Sequence, residues 1–182
     1  MSRFAPARLF RHGLLAAGLT AALAAPMSAS ATSEYLECRK AEAVQFPGTI
    51  VDAAVATPEL STLTQLVVAA GLADALSQPG HLTVFAPLNA AFEKIPADVL
   101  GAIGGNLDVL TAVLTYHVVD GRADPRAALS RKATTLQGQT LLLGFERGAG
   151  ATVNQSIANC TAVHTTNGTV WLNDSGMLPQ FR

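Results

Sequence analysis

The chain contains no basic run longer than the pair Arg131-Lys132, and no aromatic residues are interleaved with it. A nucleic-acid-binding surface needs clustered cations against phosphates, so that class is excluded, and an anionic membrane surface is disfavoured for the same reason. Dinucleotide and phosphate loops are also missing: Gly144, Gly148 and Gly150 do not fall into a G-x-G-x-x-G pattern, and no G-K-[ST] follows them. There is no G-x-S-x-G elbow. Past the first thirty residues His81, His117 and His164 stand apart, none three or four residues from another ligand type on a predictable helix. The acids are scattered, with no pair placed for general acid and base work. The sequence therefore predicts no catalytic residue, no cofactor and no metal ion. A Ser-His-Asp triad is spatial and leaves no mark in spacing, so a secreted hydrolase stands only as a remote alternative.

Long apolar segments are absent too, except at the start. Arg3, Arg8 and Arg11 precede the uncharged, Leu- and Ala-rich run Gly13 to Ala25, and Ala29-Ser30-Ala31 supplies the small residues of a cleavage site. This reads as a signal peptide of residues 1–31, cut between Ala31 and Thr32. The run is short for a bilayer span and no second one follows, so no membrane span is expected after cleavage. Removal of three arginines from twelve Lys+Arg leaves nine against thirteen Asp+Glu, a formal balance of −4. What remains is the size of one domain with a proper core.

Cysteine is scarce: Cys38 and Cys160 only. In an oxidising compartment two such residues usually pair. The alternative is two separate buried thiols, and neither has a neighbouring Cys or His at metal-ligand spacing.

Helices are predicted over Thr49 to Ala56, Glu59 to Ala75, Ala97 to Ile103 and Asn106 to Leu114. Thr57 is placed as N-cap of the second with Pro58 at its first position, and Leu107, Leu110 and Leu114 face one way. Residues 32–48 form a polar lead-in without a strong period. The block Leu82 to Ala86 reads as a half-buried strand stopped by Pro87, with Asn89 placed to cap a short helix bearing Phe92 and Ile95. From Tyr116 onward short strands dominate: Tyr116 to Val119, Ala133 to Leu136, Gln139 to Leu143, Ala151 to Val153, Ile157 to Val163 and Thr169 to Leu172, with Asn167-Gly168 as a hairpin signal. Helices first and a meandering sheet last make an α+β domain. Four N-x-S/T sequons occur, at Asn154, Asn159, Asn167 and Asn173; because the Ala-rich leader is bacterial in character, they are read as turn asparagines.

Taken together, Thr83-Val84-Phe85-Ala86-Pro87-Leu88-Asn89-Ala90-Ala91-Phe92 and Tyr116-His117-Val118-Val119-Asp120-Gly121 resemble two signatures of the fasciclin (FAS1) domain. The stretch from Asn167-Gly168 to Leu178-Pro179 is similar to its second homology segment, with Asn173 standing where an aliphatic residue is usual and Gly176 where a β-branched or apolar one is. A closer likeness is to secreted single-domain fasciclin proteins of mycobacterial type, which share the stretch Val55 to Leu63. The resemblance implies a FAS1-type wedge, with N-terminal helices packed on a mostly antiparallel twisted sheet, spanning residues 49–179 and leaving a tail of 180–182. It implies a disulfide between Cys38 and Cys160. It further implies a secreted or periplasmic, non-enzymatic module for cell adhesion or protein interaction, a monomer whose partner is an extracellular or cell-surface protein. Tyr116 and His117 belong to the signature proposed for binding; the residues alone read more readily as a buried aromatic pair bonded to nearby backbone than as a partner-binding patch. The alternative function is a soluble carrier of an apolar ligand, a carotenoid or lipid.

Overall fold

The computed structural model describes residues 29–181. All but the last three residues of the leader 1–31, and Arg182 of the tail 180–182, lie outside the described residues. Seven helices and nine strands follow: α1 (Ala29–Lys40), β1 (Val44–Gln45), α2 (Ile50–Val55), α3 (Ser61–Ala69) after a 3-10 turn at Pro58–Leu60, α4 (Ala73–Ser77), β2 (Leu82–Pro87), α5 (Asn89–Phe92), α6 (Ala97–Gly104), α7 (Leu107–Tyr116), β3 (Val118–Asp120), β4 (Arg131–Thr134), β5 (Thr140–Glu146), β6 (Gly150–Val153), β7 (Ser156–Ala158), β8 (Val163–His164) and β9 (Gly168–Asn173).

The strands form one mixed sheet in the order β1-β8-β9-β7-β6-β5-β4, with β2 beside β9 and β3. Most pairs are antiparallel, but β2 and β9 run parallel along their whole length, from Leu82↔Gly168 to Pro87↔Asn173. A parallel pair at the centre of a sheet is covered on both faces. Val84 and Ala86 of β2 and Val170 of β9 face the helices, joining Leu60, Leu63, Leu110 and Leu114. Phe85 and Trp171 face the opposite way, against Leu141, Leu143, Val153 and Met177. The strand read as half-buried is thus buried on both sides: Ala86 is 1% exposed on one face and Phe85 0% on the other. The α+β class holds, and no single helix among the described residues is long and apolar enough to cross a membrane.

Local chemistry accounts for several helix ends. Thr49 accepts from Asp52 N while the Asp52 carboxylate accepts from Thr49 N at 2.8 Å, a reciprocal capping box for α2. Asn106 caps α7 by accepting from Asp108 N and Val109 N. The helix predicted over Glu59 to Ala75 is instead divided into the 3-10 turn, α3 and α4, because Gly71 takes φ +67 and ends α3. Leu107 is 58% exposed rather than aligned with the buried Leu110 and Leu114; it opens α7 beside its N-cap, before the helix reaches the core. Tyr116 is the last residue of α7 and His117 its C-cap, so the following strand starts at Val118. The strand predicted over Ile157 to Val163 is split into β7 and β8 around Cys160, which the disulfide draws away from the ladder.

The polar lead-in is largely helical. α1 carries no apolar stripe, which is why its period is silent, and its anchoring is tertiary: the Cys38–Cys160 disulfide and an edge contact of Tyr35 on Phe145 at 5.2 Å. Val44 and Gln45 then pair with Val163 and His164, so this segment is built into the sheet. The boundary between Ala31 and Thr32 falls in the first turns of α1.

Candidate functional site

The signature residues converge on the seam between α7, the central strands and the C-terminal segment. Tyr116 is 5% exposed and His117 3%. The His117 Nδ1 lies 2.8 Å from the Val113 carbonyl oxygen, and Nε2 lies 3.0 Å from the Met177 backbone nitrogen. A carbonyl only accepts and an amide N–H only donates, so the ring is neutral with its proton on Nδ1. Burial pushes its pKa from 6.5 down to about 4, against the Val113 hydrogen bond, which acts the other way. With both nitrogens occupied by backbone, His117 has no free site for proton transfer or metal. The Tyr116 hydroxyl accepts from Asn154 Nδ2 at 3.0 Å, and the two rings meet edge to face at 6.5 Å.

The signature asparagines act at a distance. Asn89 does not cap α5, whose N-cap is Leu88 with no side-chain bond. Its Oδ1 accepts from Thr62 N at 3.0 Å and its Nδ2 donates to Pro58 O and Ser61 Oγ. It therefore caps the first turn of α3, an element 27 residues earlier. Asn167 is 3% exposed; its Oδ1 accepts from Ile50 N at 2.9 Å and its Nδ2 donates to Leu76 O and Gln78 O at 2.8 and 2.9 Å. One side chain closes the start of α2 and the end of α4. At Gly168 an added Cβ would overlap the Leu82 carbonyl oxygen and meet Ile50 Cδ1, so the glycine permits the β2–β9 approach. Of the four sequon asparagines, Asn154 takes φ +54 at a hairpin and Asn159 accepts from Thr161 N, both exposed, whereas Asn167 and Asn173 are buried.

Sequence reasoning missed Arg126. Its guanidinium lies 4.8 Å over the Trp171 ring, bonds Asp124 through Nε and Nη2, and through Nη1 reaches the carbonyls of Ala41 at 3.1 Å and Cys160 at 3.3 Å. It ties the disulfide region to the core. Burial alone would raise the pKa of Asp124, but the Arg126 contacts hold it below the usual carboxylate value. A lone charge between Pro125 and Ala127 is the one trace it leaves in sequence.

No group of three or more His, Cys, Asp or Glu among the described residues is arranged to hold a metal ion. The apolar spaces between helices and sheet are small, about 40 Å³ beside Val51, Val67 and Leu76 and about 20 Å³ beside Phe92, Ile95 and Leu178.

The fasciclin domain family model matches residues 58–179. The immunogenic protein MPB70 of Mycobacterium bovis is 39% identical over 132 residues, covering 70% of this chain and 67% of that protein. The cell surface glycolipoprotein MPB83 of the same species is 37% identical over 135 residues, 71% of this chain and 60% of that protein. Among solved structures, a FAS1 domain pair from the insect cell adhesion molecule Fasciclin I aligns with a TM-score of 0.58 at 18% identity. That alignment spans 73% of this chain and 52% of the insect one, and at such identity it is a likeness of fold.

Proposed function

Because the chain belongs to the fasciclin domain family, we propose that it works outside the cytoplasm as a non-enzymatic adhesion or protein-interaction module. In this reading residues 1–31 are removed as a leader, 32–48 lead into the fasciclin domain of 49–179, and the product is a monomer. The observation that carries it is the 37% identity to a protein named as a cell surface glycolipoprotein. The Cys38–Cys160 disulfide supports it, since such bridges persist in oxidising compartments. Tyr116 and His117 are buried with their polar atoms bonded, so their part is to hold the surface in shape while other groups touch the partner.

The carrier reading meets a difficulty of size: apolar spaces of about 40 and 20 Å³ are far below the several hundred Å³ of ligand pockets. The deciding experiment coats a surface with the chain purified from culture medium and measures attachment of the producing cells, with cross-linking and mass spectrometry. Attachment above an albumin control, with a cell-surface protein cross-linked, is the expected result. Absence of both overturns the reading, as does labelling by covalent hydrolase probes or an extractable pigment or lipid.

A further inference from the structure

On the sheet face that carries Phe85 and Trp171, the apolar lining stops at one end. The residues two positions earlier on the paired strands are Thr83 and Thr169, which sit directly opposite each other. They and the Trp171 ring line a groove of about 520 Å³, bordered by the loop Arg122 to Arg126 and by His164 to Thr166 of β8 and its turn. This volume is within the range of small-ligand sites.

The lining holds Arg122 and Arg126, with the imidazoles of His81 and His164, against a single carboxylate, Asp124; that carboxylate is bonded to Arg126, which leaves the Arg122 guanidinium as the excess charge. Among the described residues no carboxylate pairs with His81, Arg122 or His164, all three exposed. A cleft with an excess of one sign of charge raises the local concentration of the opposite sign.

The hydroxyls add a second requirement. A threonine has one O–H to give and two lone pairs. Thr83 donates to Gly121 O at 2.7 Å, Thr165 to Gly168 O at 3.0 Å and Thr166 to Gly48 O at 3.1 Å. Thr83, 1% exposed, also accepts from Ala123 N at 3.0 Å and is satisfied inside the protein; Thr165 and Thr166 have spent their protons and face the groove as acceptors. A fitting ligand brings an anionic group for Arg122 and hydroxyl donors for Thr165 and Thr166. We propose that this groove binds an acidic carbohydrate, a sugar unit bearing a carboxylate or a phosphate. The site is independent of the adhesion reading, so failure here leaves cell attachment untouched.

The test is an amide-resolved NMR titration of the purified chain with glucuronic acid, glucose 6-phosphate, glucose and inorganic phosphate. The acidic sugars are expected to shift the amides of Arg122, His164 and Thr166 saturably, about tenfold more tightly than glucose or inorganic phosphate. Arg122→Gln and His164→Gln, both at exposed positions, should each weaken that binding by roughly tenfold without altering the thermal melt. Thr166→Val should weaken the sugars and leave inorganic phosphate unaffected. A polymer of glucuronic acid distinguishes the source: tighter binding than the monomer points to a surface glycan, equal binding to a free sugar acid, and either supports the site. No saturable shift at millimolar ligand overturns the proposal, as does equal binding of glucose and glucuronic acid, or of inorganic phosphate and the sugar phosphate.

Discussion

The Nε2 of His117 accepts a hydrogen bond from the backbone N–H of Met177 at 3.0 Å, across 60 residues of chain. With Nδ1 donating to Val113 O, the ring fastens the C-terminal segment to the end of α7. His117→Ala removes both bonds, leaves the Met177 amide unpartnered and opens a void, and should cost about 3–4 kcal/mol in urea unfolding. A variant of unchanged stability would end the case for this fastening. If the Tyr116→Ala/His117→Ala double variant both melts and adheres like the parent, the pair has neither role.

The same residue makes stability depend on pH. Its folded pKa is about 4 against 6.5 for the free side chain, so between these values the unfolded chain binds the extra proton. Stability is therefore complete above pH 6.5, falls as pH drops towards 4, and loses roughly 3 kcal/mol over that window. Asp52, Asp124 and Asp174 have pKa values lowered from 3.8, so their contributions are lost only in stronger acid. Chemical denaturation from pH 7 to 4 should show the slope in the parent and a much flatter line in His117→Gln.

Asn167→Ala should lower stability by roughly 2–4 kcal/mol, because it orphans the Ile50 amide and two carbonyls in a buried site. Asn106→Ala, at an exposed cap, serves as a reference at about 1 kcal/mol. Equal losses in thermal or urea melts would show that Asn167 is no more than an ordinary turn residue.

The Cys38–Cys160 bridge joins residues 122 apart. For a loop of that length the chain-entropy account gives about 4–5 kcal/mol. Cys38→Ala/Cys160→Ala should lower the urea midpoint accordingly, and reductant should do the same to the parent while leaving the variant unaffected. Parent and variant midpoints that coincide without reductant would contradict it.

Asn173 is 0% exposed, and neither its Nδ2 nor its Oδ1 has a hydrogen-bond partner among the protein groups. It stands in β9 on the face of Trp171, at a place where the fasciclin pattern has an aliphatic residue. Asn173→Leu is expected to raise stability by about 1–3 kcal/mol, since an unpaired buried amide costs that much. A thermal melt below the parent's would show that the amide is in fact satisfied there.

Much of the fold was legible in local chemistry. Pro87 and Gly104-Gly105 punctuate the chain where the elements end, and Thr49 with Asp52 marks the start of α2 by a bond between neighbours. These signals survive because each is settled within a few residues. α1 escaped notice because nothing on its own surface demands burial; a disulfide to Cys160 and a contact with Phe145 hold it.

The succession from helices to strands after α1 and the family signatures follow from residue types and their spacing, and the pairing of Cys38 with Cys160 follows from the family resemblance. The long-range meaning of those residues does not. Asn89 looks like a cap for the helix it begins, yet it caps another; Asn167-Gly168 lies in the β8–β9 turn that it signals, and it also joins α2, α4 and β2. Arg122, His81 and His164 are unremarkable in sequence and share a groove only because β2 and β9 lie side by side. Hydrogen-bond donors and charges act over a few ångströms in space, and the sheet's register, set by burial on both faces of its central strands, decides which of them meet.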